Sequence, residues 1–303
     1  MRVTQSMITY NTLRNISSSY GKLDEYMNQL ATGKKINRPS DDPVIAMRGM
    51  NYRTEVANAA QYERNLNEVN TWMDNSDAAL DEATQALQKL RELAVQASNG
   101  TYEEDQRENI AEEVDQLKEQ LIDIANTKVN NKYLFNGTGT TGVENADGDL
   151  AGPVQTDEDG NVISVASNNS DVNIEVLDGV KIKVNSDAEN SFNEDLFKDI
   201  EAFSQALKND DQEAISQSIE AIDSHINNVV NERADLGARM NRVELITDRI
   251  SNQSIAAQTQ MAENEDADIE EVITNLTTQE SVHRAALSAG ARIIQPTLLD
   301  FLS

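Results

Sequence analysis

The spacing of apolar residues predicts long helices over most of the chain. From residue 44 to 98, apolar residues recur every three or four positions, as they do along one face of a helix. At about 1.5 Å per residue, such a helix would span roughly 80 Å and would need partner helices along its length. Its expected buried positions are Leu66, Val69, Met73, Ser76, Leu80, Ala83, Leu87, Leu90, Ala94 and Ala97.

Two further segments repeat this spacing and can supply the partner helices. One follows a turn expected at Asn99 and Gly100, and the other lies towards the C-terminus. Together the three segments predict a mainly α protein built around an elongated helical bundle. The apolar positions of the first segment are Ile110, Val114, Leu117, Leu121 and Ile124, and those of the second are Ile215, Ile219, Ile222, Ile226, Val229, Leu236, Met240, Val243 and Ile250.

The two ends of the chain each predict a single helix with a narrow apolar stripe. The N-terminal stripe consists of Leu13, Ile16, Tyr20, Leu23, Met27 and Leu30. The C-terminal stripe consists of Ile269, Val272, Ile273, Leu276, Leu287, Ile293, Ile294 and Leu298, with Leu299, Phe301 and Leu302 beyond Pro296. Either stripe could be ordinary intramolecular core. Because both lie outside the bundle, we expect the ends to pair as coiled-coil helices and to contact neighbouring copies, so these residues form the predicted assembly interface.

A proline-containing segment separates the first helix from the bundle. Gly33 is expected to end the first helix, and Pro39 and Pro43 cannot continue it because proline lacks an amide donor. Ser40, or the pair Asp41 and Asp42, can cap a new helix that begins near residue 44. The sequence therefore predicts a linker between two helices.

The middle of the chain, about residues 132–190, changes to short β-branched runs among Gly, Asn and Asp. The runs at 173–177 and 180–184 flank Asp178 and Gly179, which predicts a hairpin with a type I′ turn. Because this hairpin is local in sequence, we expect a β-rich insert that can be removed, at roughly residues 142–190, without unfolding the bundle.

Composition and charge narrow the classes of partner. Apolar residues make up 38% and aromatic residues 4% of the 303 positions, which favours long helical packing over a thick core. The net charge of -28 argues against nucleic acid and anionic membrane as partners. Residues 1–40 are net basic, however. Cysteine is absent, which removes disulfides and thiolate metal sites, and no apolar run reaches about 18 residues, so we expect neither membrane insertion nor a secretion signal of the ordinary cleaved kind.

Candidate chemistry is sparse. His225 and His283 are far apart in sequence and have no cysteine partners. The acidic run at 263–268 lacks the spacing and the glycine of an EF-hand, so a solvated helix start or a hinge to the last helix is the preferred interpretation. Nucleophile, phosphate-loop and dinucleotide motifs are missing. We expect no enzymatic activity, no cofactor and no metal site.

Three stretches resemble a known superfamily. Residues 30–43, LATGKKINRPSDDP, resemble the signature that follows the N-terminal helix in bacterial flagellins and flagellar hook-filament junction proteins. Residues 87–101 and 233–242 resemble the bundle helices of the same superfamily. The motif positions at the linker are Arg38, Pro39, Ser40, Asp41, Asp42 and Pro43. The resemblance covers about residues 1–137 and 192–303 and leaves the middle unaccounted for.

Within that superfamily, residues 1–7, 133–137 and 295–302 resemble the junction proteins more than filament flagellins. The second match departs from the family pattern, because residues 138–141 replace a Pro-Phe element. The resemblance implies paired terminal helices innermost, the bundle outside them and the β-rich insert outermost. It implies five segments: 1–43 and 263–303 as assembly helices, 44–137 and 191–262 as the halves of the bundle, and 138–190 as the insert.

The resemblance also implies a function. The chain would be a structural adaptor between hook and filament, exported by the flagellar type III apparatus and located outside the cell after a transient cytoplasmic stage. Its partners would be flagellin, the neighbouring hook-associated junction protein, further copies of itself in a ring and a flagellar export chaperone. A filament flagellin is the first alternative. A coiled-coil scaffold factor and a secreted adhesive protein are alternatives of another class, although neither accounts for both ends of the chain.

Overall fold

The chain folds into two compact units. The terminal unit combines Met1–Ala59 with Asn252–Ser303, and the central unit is Ala60–Ser251. The computed structural model describes residues 5–99, 104–144, 150–157, 162–165, 170–186 and 188–294.

Helices dominate both units. In chain order they are α1 Gln5–Thr32, α2 Pro43–Ser98, α3 Glu104–Ala125, α4 Ala188–Ser191, α5 Glu194–Lys208, α6 Gln212–Glu265 and α7 Ile269–Ile294. Gly33 ends α1 with a φ of +68°, a left-handed conformation that glycine adopts without strain. The Asp42 carboxylate caps α2 by accepting from the amides of Val44, at 2.8 Å, and Ile45, at 3.1 Å. Both predicted helix boundaries around the linker are confirmed.

The core of the central unit lies along the predicted face of α2. All ten predicted positions of that face, from Leu66 to Ala97, are at most 2% exposed. The predicted apolar positions of α3 and α6 are buried or half-buried against the same core. Apolar periodicity was sufficient here because α2 needs burial on only one side.

Helix α5 was not predicted and contributes much of the same core. Leu196, Phe197, Ile200, Phe203 and Leu207 are all at most 2% exposed. Asn193 caps the helix, since its side chain accepts a 2.7 Å hydrogen bond from the amide of Leu196. The cap and the spacing of these apolar residues were both readable in the sequence, so this helix was within reach of the same argument.

Among the described residues, the strands form four antiparallel pairs of consecutive strands. They are β1 Lys128–Val129, β2 Lys132–Tyr133, β3 Val143–Glu144, β4 Leu150–Ala151, β5 Val154–Thr156, β6 Val162–Val165, β7 Asn173–Leu177 and β8 Val180–Lys183. The predicted hairpin of β7 and β8 is confirmed, with Leu177 opposite Val180.

The turn types differ from the prediction. Gly179 has a φ of +71°, but Asp178 is not in the left-handed region, so the β7–β8 turn is not type I′. A register shift between Glu175 and Leu177 accompanies this turn and changes the local twist of the pair. A two-residue turn with both central residues left-handed occurs instead between β1 and β2, at Asn130 (φ 51°) and Asn131 (φ 64°).

The β7–β8 hairpin of the β-rich segment contributes buried side chains to the bundle core. Val176, Ile182 and Val184 are at most 3% exposed and belong to the same core as α2. The Asn65 side chain on α2 also donates to the carbonyl of Glu175 at 2.7 Å. Local hydrogen bonding makes the hairpin, but its buried face completes the bundle core.

Candidate assembly surface

The terminal unit contains an antiparallel pair of helices, α1 and α7. The Gln279 side chain donates to the hydroxyl of Ser19 at 2.9 Å. A methyl group placed on Gly290 would lie 3.2 Å from side-chain atoms of Ile16 and Thr12, so the two helices approach closely at this point. The expectation that the first and last helices pair with each other is confirmed.

Small and polar residues make up much of this helix–helix interface. Ser19 and Gly290 are buried, Thr12 and Gln279 are half-buried, and Tyr20 lies beside the His283 ring with 6.2 Å between centroids. Of these residues, only Tyr20 was among the predicted interface positions. Apolar residues on α1 recur every three or four positions and cover more than one face of the helix. Only the packing shows which of these faces contacts α7.

The predicted stripes divide between the pair interface and the exposed surface. Ile16, Leu23 and Leu276 are half-buried and Val272 is buried, as expected for residues that face the other helix. The remaining described members are exposed: Leu13 53%, Tyr20 67%, Met27 60%, Leu30 39%, Ile269 41%, Ile273 46% and Leu287 48%. The apolar surface is therefore wider than one partner helix covers.

Leu13, Tyr20 and Met27 are seven residues apart and lie on one face of α1, which we call the exposed stripe. Three exposed apolar side chains at heptad spacing, on the face of α1 next to the one that α7 covers, suit a third helix. The side chains of Ile293 and Ile294, at the end of α7, and the residues Leu298, Leu299, Phe301 and Leu302 lie outside the described part of the chain.

The start of the linker, residues 33–35, is hydrogen-bonded to the segment that joins α6 to α7, residues 265–267. The amide of Lys35 donates to the carbonyl of Glu265 at 2.7 Å, and the amide of Ala267 donates to the carbonyl of Gly33 at 2.8 Å. The Lys34 ammonium lies 2.6 Å from the Asp266 carboxylate. We call this set of contacts the clamp. It joins two segments more than 200 positions apart, and no local pattern in the sequence indicates it.

Glu265 is the buried centre of the clamp. It is 4% exposed, and its Oε2 lies 2.8 Å from an Arg53 nitrogen and 3.5 Å from Lys34 Nζ. The hydrogen bond from Arg53 lowers the pKa of Glu265 although burial acts in the opposite direction. The hydrogen bond to Asp266 correspondingly raises the pKa of Lys34. A paired, hydrogen-bonded carboxylate can stay ionised in this buried position.

The motif residues of the linker shape its turn. Asp41 Oδ2 accepts from the amides of Asn37, at 3.2 Å, and Arg38, at 2.9 Å. Pro43 is the first residue of α2, where its missing amide is not needed. Pro39 and Ser40 are exposed, and the Arg38 guanidinium forms no ion pair with any described residue.

The acidic run divides between the end of one helix and the start of the next. Glu265 ends α6, and Asp268 Oδ1 accepts from the amides of Glu270 and Glu271 at the start of α7. The acidic run therefore lies at the junction of α6 and α7, where a hinge was one expectation. The other expectation was a solvated helix start, but Glu265 is buried. Within the described ranges no three His, Cys, Asp or Glu side chains gather in a way that could hold a metal ion.

Arg233 and Arg239, two arginines of the 233–242 stretch, contact other elements of the central unit. Arg233 reaches Asp77, at 3.1 Å, and Asp81, at 2.6 Å, on α2. Arg239 donates to the carbonyl of Asn185 at 2.8 Å and so connects α6 to the segment after β8. His225, one of the two histidines considered as metal ligands, pairs within the same unit, where its Nε2 lies 2.8 Å from an oxygen of Asp199.

No described helix has both the length and the apolar character that a bilayer crossing requires.

Comparison with known proteins agrees with this architecture at both ends. Residues 3–140 match the family profile of the bacterial flagellin N-terminal helical region, and residues 219–302 match that of the bacterial flagellin C-terminal helical region. These two ranges contain α1, α2, α3, α7 and most of α6.

Individual relatives match over nearly their full length. The chain is 26% identical to flagellar hook-associated protein 3 of Escherichia coli (strain K12), over 95% of this chain and 96% of the relative. It is also 26% identical to a flagellin of Listeria monocytogenes, over 95% of this chain and 94% of that relative. The crystal structure of Bacillus cereus FlgL superposes with a TM-score of 0.58 at 25% identity, covering 70% of this chain and 99% of that one. The paired terminal helices, the central helical core and the two matched regions together show that the chain belongs to the bacterial flagellin family.

Proposed function

We propose that this chain is the structural adaptor that joins the flagellar hook to the filament. The observation that carries the proposal is the exposed stripe of Leu13, Tyr20 and Met27 beside an already formed helix pair. Apolar side chains at heptad spacing gain free energy when another helix covers them, and repeated copies of such a surface build closed rings or helical assemblies. The terminal helices are then the assembly interface.

The choice of junction adaptor over filament subunit rests on the terminal sequences and on the relatives. The match to hook-associated protein 3 extends over almost all of both chains. The residues at 1–7 and 295–302 resemble junction proteins as well. A flagellin matches over a similar extent, so a filament subunit remains the second candidate.

This role implies specific partners and a location. The adaptor would contact flagellin on one side, the neighbouring hook-associated protein on the other and its own copies around a ring. It would reach the cell exterior through the flagellar export apparatus, with a chaperone covering the terminal helices in the cytoplasm. The division of the chain into five segments, with boundaries at 43, 137, 190 and 262, stays a prediction. In it, residues 1–43 and 263–303 make the assembly contacts.

A deletion strain tests the role. Removing the gene should abolish swimming, leave the hook intact and release monomeric flagellin into the medium, and the wild-type chain supplied in trans should restore filaments. If the mutant instead secretes no flagellin of any kind while other axial proteins are exported, the chain is the filament subunit. A mutant that swims normally would remove the proposal altogether.

A further inference from the structure

The terminal unit carries a notch that combines free positive charge with an apolar rim. The notch has a volume of about 100 Å³ and lies between the linker turn, the first three turns of α2 and Glu265 at the end of α6. Its lining residues are Ile36, Asn37, Arg38, Pro39, Ala46, Met50, Arg53 and Glu265.

Two guanidinium groups face the notch. Arg53 pairs with Glu265, yet its side chain is 65% exposed, so its other nitrogens are open to a second acceptor. Arg38 is exposed and forms no ion pair with any described residue. With one buried carboxylate between two arginines, the notch keeps an excess positive charge. Arginine pairs of this kind suit a carboxylate, which can accept two parallel hydrogen bonds.

The rim of the notch favours a macromolecule over a free anion. Met50 is 58% exposed within it, and Met47, one turn earlier on α2, is also 58% exposed. Apolar area of this kind is covered only when a protein surface arrives with the charged group. The occupant should therefore carry a carboxylate on a partly apolar helix surface.

Charge complementarity points to a second copy of the same chain. Within the terminal unit, residues 1–59 contain eight basic and five acidic residues, and residues 252–303 contain two basic and eight acidic residues. The central unit, residues 60–251, is far more acidic, with 15 basic and 40 acidic residues, so the basic segment that carries the notch is the part of the chain that this unit attracts. Many copies of this acidic unit come close together wherever the chain assembles. Opposite potentials on two repeated surfaces guide them into one register.

We propose that the Arg38–Arg53 notch binds an Asp or Glu side chain from the central unit of a neighbouring copy. The inference rests on the proposed assembly function and adds a defined electrostatic contact to it. The exposed stripe supplies apolar area between terminal helices, and the notch fixes the position of the next copy's central unit.

Zero-length cross-linking tests the contact in assembled flagella. In cells complemented with Arg38→Lys, isolated flagella treated with a carbodiimide should yield a covalent dimer of twice the chain mass. Peptide mapping should show residue 38 joined to an acidic residue within 60–251. Arg48→Lys is the matched control, because Arg48 is an exposed α2 arginine that does not line the notch. It should give at least fivefold less product at position 48.

A second measurement uses charge removal. Arg38→Gln should lower the amount of chain retained on flagella severalfold more than Arg48→Gln, and chloride should weaken retention of the wild type but affect Arg38→Gln less. The inference is overturned if the two variants behave alike, or if residue 38 is joined only to its own chain or only to another protein. It is also overturned if inorganic phosphate displaces the chain at far lower ionic strength than chloride, which would make the notch a site for free anions. Failure of the wild-type chain to restore swimming would instead reject the proposed function, so the two failures are distinguishable.

Discussion

Gly49 on α2 lies directly against the carboxylate of Glu265, so that a methyl group at Gly49 would stand 2.5 Å from Glu265 Oε1. A methyl group at Gly49 would therefore force the Glu265 carboxylate to shift from its present position, in which it lies 2.8 Å from Arg53. The absence of a side chain at Gly49 therefore leaves the space that the Glu265 carboxylate occupies in the clamp.

Gly49→Ala should destabilise the terminal unit by about 1–3 kcal/mol, because the added methyl group displaces a buried paired carboxylate. Gly21→Ala is the matched control. Gly21 is also within a helix of this unit, and nothing lies within 4 Å of its added methyl group. The control should be neutral or stabilising by up to about 1 kcal/mol, since alanine is the better helix former. Thermal unfolding and hydrogen exchange of the two variants would measure the difference, and equal effects would contradict the close contact.

The clamp should weaken in acid. The pKa of Glu265 in the folded chain lies below its ordinary value of 4.5, so its ionised form stabilises the folded state at higher pH. This contribution is complete above about pH 4.5 and is lost as the pH falls through the lowered pKa. Exchange of the Lys35 and Ala267 amides, which bridge the clamp, should therefore accelerate below this pH relative to other helix-end amides.

Glu265→Gln separates this effect from general acid unfolding. The variant leaves every other carboxylate in place but cannot ionise, so the two bridging amides should already be less protected at pH 7 and should change little with acid. If the wild type and the variant show the same pH profile, Glu265 does not control the clamp.

The exposed stripe and the buried side of α1 should respond oppositely to substitution. Replacing Leu13, Tyr20 and Met27 together by serine should change the stability of the free chain by no more than about 0.5 kcal/mol per site, since these residues are more than half exposed. The same variant should fail to restore filaments in the deletion strain.

Ile16→Ala with Leu23→Ala is the comparison on the α7-facing side. Each half-buried residue should contribute about 1–2 kcal/mol to the helix pair, so protection of α1 and α7 amides should fall in the free chain. A large loss of stability in the serine variant would show that the exposed stripe is ordinary core and would remove the basis of the assembly proposal.

The β7–β8 hairpin should be as important to the core as a helix. Ile182→Ala removes a side chain that is 3% exposed and should cost about 2–5 kcal/mol. Ile163→Ala, on β6, is the matched control, because Ile163 is 64% exposed and should stay within about 0.5 kcal/mol of the wild type. Denaturant unfolding of the intact chain measures both, and a neutral Ile182→Ala would show that the hairpin does not support the core.

The sequence by itself determined the long helices and the linker between α1 and α2. Apolar periodicity located α2, α3 and α6, because a helix that buries one face must repeat its apolar residues near every 3.6 positions. Gly33, Asp42 and Pro43 marked the linker because backbone conformation and capping are local requirements. Helix α5 carried the same signals, a capping Asn193 and apolar residues at helical spacing, and was nevertheless missed.

Tertiary structure decided which surfaces face each other. The α1 stripe satisfies two overlapping helical spacings, and only the position of α7 separates Ile16 and Leu23 from Leu13, Tyr20 and Met27. The hairpin's place in the core depends on Val176 meeting residues of α2 that lie about 100 positions earlier. The clamp depends on Lys34, Gly49 and Arg53 meeting Glu265 across more than 200 positions. Such contacts follow from the path of the whole chain, and no local pattern contains them.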